Sequence, residues 1–339
     1  MTVHGNAARL HANESLGGLS EADVASALPT LREVHRYPSP RPDRFTAAMA
    51  ARSRIPAAQV VVGPGSTALC LSLCLSARIR GAERVVVPVP SFEGYSRVAG
   101  MAGLPVEGVP LSNDRLDLDA LARLLSDGPA AVVFLPNPNN PTSTATTRTS
   151  LRGFLSGVSD RHVVVVDEAY IDYDPAQSSD TCMPLVSAYE NLVVLQTASK
   201  AMGLAGARLA HCFAQEALAR DVRNCVVDYS VPAWVELLGL RRLDSRFVRD
   251  EVAETRLRLT QFIASLAALG VSVPPPSANF VWLRLGRATA GVSERAAAQG
   301  VRVKVYPDQG IRVSMGDASA LAAFLSVLPS HMGARNAST

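Results

Sequence analysis

The chain has 339 residues, 48% of them hydrophobic and 19% charged, with a formal net charge of +3. That is enough chain for two domains at roughly 150 residues each and for a large buried core. It excludes collagen, coiled coil, disulfide miniprotein and disordered tail. No block of like charges suggests a nucleic-acid footprint, and no apolar run is long enough to cross a membrane. The first residues, Met1 to Asn6, show neither a charged nor an apolar targeting pattern. The five cysteines, at positions 70, 74, 182, 212 and 225, form no C-x-x-C pair and have no histidine at metal spacing. They are expected to be free thiols in a cytoplasmic protein that holds no metal.

In chain order, the first apolar run, Val60 to Val62, closes on Gly63-Pro64-Gly65-Ser66-Thr67-Ala68 and opens helical sequence over Thr67 to Arg80. Such a turn presents free N–H groups and the positive end of a helix, which together make a phosphate cup. It also fits the dinucleotide fingerprint G-x-G-x-x-A, but Glu83, the acid at the right distance, precedes the next apolar run instead of ending it. After Val85 to Val87 and a helix expected over Asp119 to Ser126 comes Val132 to Leu135. This run ends in Pro136-Asn137-Pro138-Asn139-Asn140-Pro141-Thr142, at the carboxyl end of a strand, where α/β sheets bind ligands.

A helix over Arg148 to Gly157 leads to Val163 to Val166, followed by Asp167-Glu168-Ala169-Tyr170. A carboxylate at the mouth of a wholly apolar strand needs a positive partner, so Asp167 is expected to face one. Leu192 to Leu195 leads to Thr197-Ala198-Ser199-Lys200, with Arg208 eight residues after the lysine. A lysine placed inward among small hydroxyl residues can act as an amine nucleophile toward carbonyls. Continuous apolar runs of this length mark strands covered by helices on both faces, hence a mostly parallel α/β sheet.

Beyond Gln215 the sequence predicts one long helical stretch from about Trp234 to Leu269, stopped by Gly270 and Pro274-Pro275-Pro276. Strands are expected over Asn279 to Leu285, Val301 to Val305 and Ile311 to Ser314, then an Ala- and Leu-rich helix. The expected organisation is an N-terminal arm at 1–39 that joins a smaller domain, a large α/β domain at 40–220, a small α+β domain at 221–331 and a frayed tail at 332–339.

The order glycine-serine-threonine cup, Asn-Pro-Asn-Asn-Pro-Thr, Asp-Glu-Ala-Tyr, then Ser-Lys with Arg at +8 resembles the fold-type I pyridoxal-phosphate aminotransferases, most of all their histidinol-phosphate aminotransferase branch. The resemblance runs from His11-Ala12-Asn13-Glu14 to Ile311-Arg312-Val313-Ser314. It implies a large domain with a mostly parallel sheet between helices, a smaller α+β domain, and pyridoxal 5′-phosphate as cofactor. It also implies ping-pong transfer of an amino group between an amino donor and a 2-oxo acid by Schiff-base chemistry.

Carried over by position, the resemblance makes Lys200 the Schiff-base lysine and proton shuttle, and Asp167 the partner of the pyridine nitrogen. Asn140 and Tyr170 fall where the phenolic oxygen is held, with Tyr170 counted among the catalytic residues. Gly65, Ser66, Thr67, Thr197, Ser199 and Arg208 take the phosphate, and Phe92 stacks on the ring in place of the usual Tyr. Arg312 grips the substrate's α-carboxylate, while Asn13, Asn279 and Lys304 are further substrate-side positions. The family site forms at a homodimer interface, to which the arm contributes, and Tyr37 in Arg36-Tyr37-Pro38 would reach the neighbour's site.

The chain departs from the family pattern at Ser143, where Gly is usual, at Thr67, where an acid is usual, and at Lys304, where Arg helps bind a distal phosphate. The last departure points away from a phosphorylated imidazole as the substrate's side chain. A decarboxylase like threonine-phosphate decarboxylase and a histidinol-phosphate aminotransferase proper are the alternatives within the fold. A nicotinamide dehydrogenase or a non-catalytic binding module would leave Lys200, Asp167 and Asn140 without a role.

Overall fold

The structure, a computed structural model, describes residues 8–328. The expected frayed tail at 332–339 and the start of the N-terminal arm lie outside them. Eleven strands are described: β1 (Ala8–Leu10), β2 (Val60–Gly63), β3 (Arg84–Val89), β4 (Val106–Pro110), β5 (Ala131–Pro136), β6 (Val163–Asp167), β7 (Leu192–Thr197), β8 (Ala210–Ala214), β9 (Phe280–Arg284), β10 (Val301–Tyr306) and β11 (Gly310–Ser314).

Seven of them form one sheet in the order β2-β8-β7-β6-β5-β3-β4. Neighbours from β7 through β4 pair in parallel, whereas β8 runs antiparallel to both β2 and β7. The runs of valine explain why helices cover both faces. Val133, Leu135, Val164 and Val166 point into one core, and Val132, Phe134, Val163 and Val165 point into the other. Each such side chain stabilises the fold by about 1.5–3 kcal/mol when fully buried. The chain leaves β3 toward β4 on one side and returns to β5 on the other. That reversal opens a crevice at the carboxyl ends of β3 and β5.

The second sheet has the order β1-β10-β11-β9, with β1 supplied by the N-terminal segment and parallel to β10. One of its faces, through Val281, Leu283, Val301, Ile311 and Val313, packs with Leu259, Phe262, Leu266 and Phe324 of the flanking helices. The register aligns Lys304 with Arg312 and Arg312 with Trp282, so by strand alternation these three side chains share the opposite face.

The single helix expected from Trp234 to Leu269 is two, Ala233–Arg242 and Arg246–Ala268. Asp244, at φ +53, breaks the first, and the Ser245 hydroxyl accepts from the Val248 N–H to start the second. Strands β1, β4 and β8 lie outside the expected set, while the helix over Arg148–Gly157 falls where the sequence places it. All five cysteines are free thiols. Among the described residues no cluster of His, Cys, Asp and Glu could hold a metal ion, and no helix is long and apolar enough to cross a membrane.

Candidate active site

The strands that meet at the crevice end where their apolar runs end, and each delivers a polar loop to it. Together these loops enclose a cavity of about 180 Å³ lined by Ser66, Thr67, Phe92, Tyr95, Asn140, Asp167, Tyr170, Ser199, Lys200 and Arg208. Nine of these ten are sequence-predicted site residues; Tyr95 is the addition.

At one end lies the start of the helix Ser66–Ile79, whose N-cap, Gly65, has φ +96 and offers no side-chain cap. A Cβ there would collide with the Arg208 guanidinium, so only glycine lets the cation pack against the bare helix terminus. Arg208 has no carboxylate partner among the described residues; its Nη1 donates to Ala205 O at 2.8 Å and to Ser199 Oγ at 3.4 Å. Free helix N–H groups and an unneutralised guanidinium make this end a site for an anion such as a phosphate. The Thr197 hydroxyl donates to Ser199 Oγ at 3.0 Å, which sets it behind the cup. Its other neighbour is a second cavity, of about 860 Å³, on the far side of the sheet.

At the other end Asp167 is buried, with its Oδ2 accepting from the Tyr95 hydroxyl at 2.7 Å and its Oδ1 from the Ala169 N–H at 3.1 Å. Burial pushes its carboxyl up; the Tyr95 hydroxyl, the Ala169 N–H and the Lys200 charge work against that shift. A buried carboxylate held by two donors and facing a cavity suits a protonated ring nitrogen. Lys200 Nζ donates to Asn13 O at 3.1 Å and lies 5.5 Å from the centre of the Tyr170 ring. The cavity therefore offers an anion cup, a primary amine and a buried carboxylate, together with aromatic Phe92, which fits a phosphorylated, aromatic, aldehyde-bearing cofactor.

Tyr170 is fixed by Asn13, whose Nδ2 donates to its hydroxyl oxygen at 2.9 Å. Asn13 is itself held by Ser314, which donates to Asn13 Oδ1 at 2.6 Å and accepts from its backbone N–H at 2.9 Å. Asn279 Nδ2 donates to Glu14 O at 3.3 Å, and its Oδ1 is buried without a partner. Arg312 crosses from the small sheet, donating to Asn140 Oδ1 and to His11 O. Lys304 pairs with Glu93, at 2.7 and 2.9 Å to its two oxygens. Tyr37 is 87% exposed and away from this chain's own cavity, its ring against that of Tyr229. Ser143 has φ +60, which accounts for a glycine preference there, and its hydroxyl accepts from the Ala278 N–H at 3.0 Å.

The residue after Asp167 faces the second cavity. Glu168 accepts from the Thr181 hydroxyl and the Cys182 N–H, both at 2.6 Å, and from Gln196 Nε2 at 2.9 Å. Burial nevertheless pushes its carboxyl up to about 7. Gln196 Oε1 lies 3.1 Å from His211 Nε2, and burial lowers the His211 imidazole to about 3.

The chain matches the family described as aminotransferase class I and II over residues 8–328. It is 35% identical over 324 residues to an aromatic amino acid aminotransferase of Thermobifida fusca, covering 95% of this chain and 90% of that protein. It is 32% identical to a histidinol-phosphate aminotransferase of Symbiobacterium thermophilum, covering 96% of this chain and 90% of the relative. Among solved structures, histidinol-phosphate aminotransferase from Sinorhizobium meliloti in complex with pyridoxal 5′-phosphate superposes with a TM-score of 0.82 at 22% identity, over 95% of this chain and 90% of that one. The aminotransferase reading thus holds over the decarboxylase and dehydrogenase alternatives. A cavity shaped for an aromatic phosphate and a family match over nearly its whole length lead to one conclusion: the chain belongs to the class I and II aminotransferases, enzymes that work with pyridoxal 5′-phosphate.

Proposed function

We propose that this aminotransferase acts on amino acids whose α-carboxylate is held by Arg312 and whose side chain is uncharged and aromatic. The carrying observation is Arg312 itself: it is only 6% exposed, has no carboxylate partner among the described residues and has a buried Nε without a hydrogen bond. A buried guanidinium in that condition suits an incoming carboxylate, which would replace neutral oxygens with a charge-assisted fork. Trp282, aligned with Arg312 on the same face of the small sheet, and Tyr306, packed edge-on to it at 5.4 Å between ring centres, put buried aromatic rings beside that guanidinium. The aromatic amino acid aminotransferase of Thermobifida fusca supports the same reading.

Pyridoxal phosphate, when bound, supplies an electrophilic carbonyl and a ring that takes up the electron pair left at the substrate's Cα. In this proposal Ser66, Thr67, Ser199 and Arg208 bind its phosphate and Gly65 leaves room for that guanidinium, while Thr197 orients Ser199. Asp167 holds a proton at the ring nitrogen, and Asn140 and Tyr170 orient the phenolic oxygen. Phe92 lies against the ring and excludes water. Lys200 Nζ takes the proton from the substrate's Cα; its amine is held by the backbone oxygens of Ala12 and Asn13 and not by an acid. Asn13 and Asn279 position Tyr170 and the N-terminal segment.

The proposal includes a cytoplasmic homodimer with Tyr37 at the neighbour's site. Supporting it are Val24, Leu28, Leu31, Val34 and Tyr37, each between 41% and 87% exposed along one short stretch. The test is side-by-side kcat/KM for phenylalanine, tyrosine and histidinol phosphate, with sedimentation to give the mass. Aromatic amino acids are expected to lead by at least tenfold; a preference for histidinol phosphate, lost in Lys304→Ala, would overturn the substrate reading.

A further inference from the structure

The cross-strand register that aligns Lys304 with Arg312 sets two cations side by side on the face of the small sheet that meets the cofactor cavity. Neighbouring strands stand about 4.8 Å apart, so a substrate bound through its α-carboxylate at Arg312 would bring its side chain toward Lys304. Left free, such a pair would favour substrates with a second negative charge. Lys304 is not free. Both oxygens of Glu93 lie within 2.9 Å of its Nζ. Glu93 directly follows Phe92, which lines the cavity, so the ion pair joins the loop after β3 to the small sheet at the cavity's rim. Its carboxylate would also face, and repel, any anion brought to the same place. Buried aromatic rings stand beside the pair: Lys304 Nζ lies 5.6 Å from the centre of the Tyr306 ring, and the buried Trp282 Nε1–H has no partner.

We infer that Glu93 is a specificity-determining residue: by occupying Lys304 it turns away side chains with a distal carboxylate or phosphate and admits uncharged ones. The inference rests on the reading of Arg312 as the α-carboxylate site. The pair is half-exposed, with side-chain exposures of 33% for Lys304 and 56% for Glu93, so its hold is modest and screened by salt. Glu93 is therefore a competitor for the lysine and not an absolute barrier. Its side chain caps no helix N–H, so replacing it leaves the local fold intact.

Equilibrium binding of two unreactive analogues to the pyridoxal-phosphate holoenzyme, followed by the cofactor's absorbance, tests this without turnover. Glutarate carries a distal carboxylate; 3-phenylpropionate carries a phenyl ring in its place. In Glu93→Gln, glutarate is expected to bind roughly three- to fivefold more tightly while 3-phenylpropionate changes less than twofold. Adding Lys304→Gln should abolish the gain, and so should 1 M salt. Unchanged glutarate binding, or equal tightening of both ligands, overturns the role of Glu93. Arg312→Gln separates the two levels: if it fails to weaken 3-phenylpropionate, the parent reading of the carboxylate site has failed, whatever Glu93 does.

Discussion

The Tyr95 hydroxyl donates to Asp167 Oδ2 at 2.7 Å, while the Tyr95 ring lies flat on Phe134 at 4.5 Å between centres and edge-on to Phe92 at 5.3 Å. One side chain thus orients both the buried carboxylate and the aromatic that lines the cavity. Because the ring is held by packing, Tyr95→Phe removes the donor alone. A hydrogen bond to a charged group contributes about 1.5–3 kcal/mol. Its loss lets burial push the Asp167 carboxyl higher, so the acid is more often protonated and no longer a partner for a ring N–H⁺. We expect Tyr95→Phe to weaken cofactor binding and lower kcat by roughly 10- to 100-fold, and Asp167→Asn to lower it further. Equal cofactor affinity and rate in Tyr95→Phe would show that the contact is idle.

Tyr95 also shows where sequence reasoning stops. The runs Val132 to Leu135 and Val163 to Val166 are legible because a strand buried on both faces has only apolar residues to offer, and the polar loops at their ends follow from the same rule. Tyr95 sits three residues past Phe92 on the next helix, and nothing local says that its hydroxyl turns toward a carboxylate 72 positions later. Strand β8 reads Ala-His-Cys-Phe-Ala, with a histidine inside it, and becomes a strand through pairing with β2 and β7 rather than through composition. The helical pattern from Trp234 onward is continuous, and a single left-handed residue, Asp244, divides it. The Lys304–Glu93 pair spans 211 positions and exists only because the fold brings the loop after β3 against the small sheet.

Lys200→Ala should abolish turnover, by at least 10³-fold given what a positioned proton-transfer group contributes, while leaving the fold unchanged. The amine's hydrogen bonds go to backbone oxygens of Ala12 and Asn13, and Asp167, which loses the Lys200 charge, keeps its hydrogen bonds from Tyr95 and Ala169. The cofactor should still bind, more weakly, since Arg208, the helix terminus and Asp167 remain. Borohydride treatment followed by mass spectrometry checks this: wild type should keep the cofactor mass on the peptide containing Lys200, and the variant should not. Normal turnover in Lys200→Ala would remove the lysine from the mechanism.

The pair behind the sheet makes a prediction about pH. His211 is buried between Phe45 and Phe213, donates through Nε2 to Gln196 and leaves Nδ1 without a partner. Its folded pKa, about 3, lies below the ordinary 6.5. Between those values the unfolded chain takes a proton that the folded chain refuses, so stability is lost as pH falls through that window. Glu168 is raised from 4.5 to about 7, so the folded state takes its proton first and gains stability as pH falls from 7 to 4.5. The two slopes oppose each other between 4.5 and 6.5, and below 4.5 only the loss from His211 remains. His211→Gln keeps a donor for Gln196 Oε1 and removes the titration. Relative to wild type it should gain stability on acidification from pH 6.5 to 3.5, with a difference slope of up to one proton, about 1.4 kcal/mol per pH unit. Urea unfolding of both proteins at pH 7, 5.5, 4.5 and 3.5 measures that difference, in which titrating groups not coupled to His211 cancel. Parallel curves would mean that His211 carries its proton in the folded state and that its neutral form, with the bare Nδ1, is wrongly assigned.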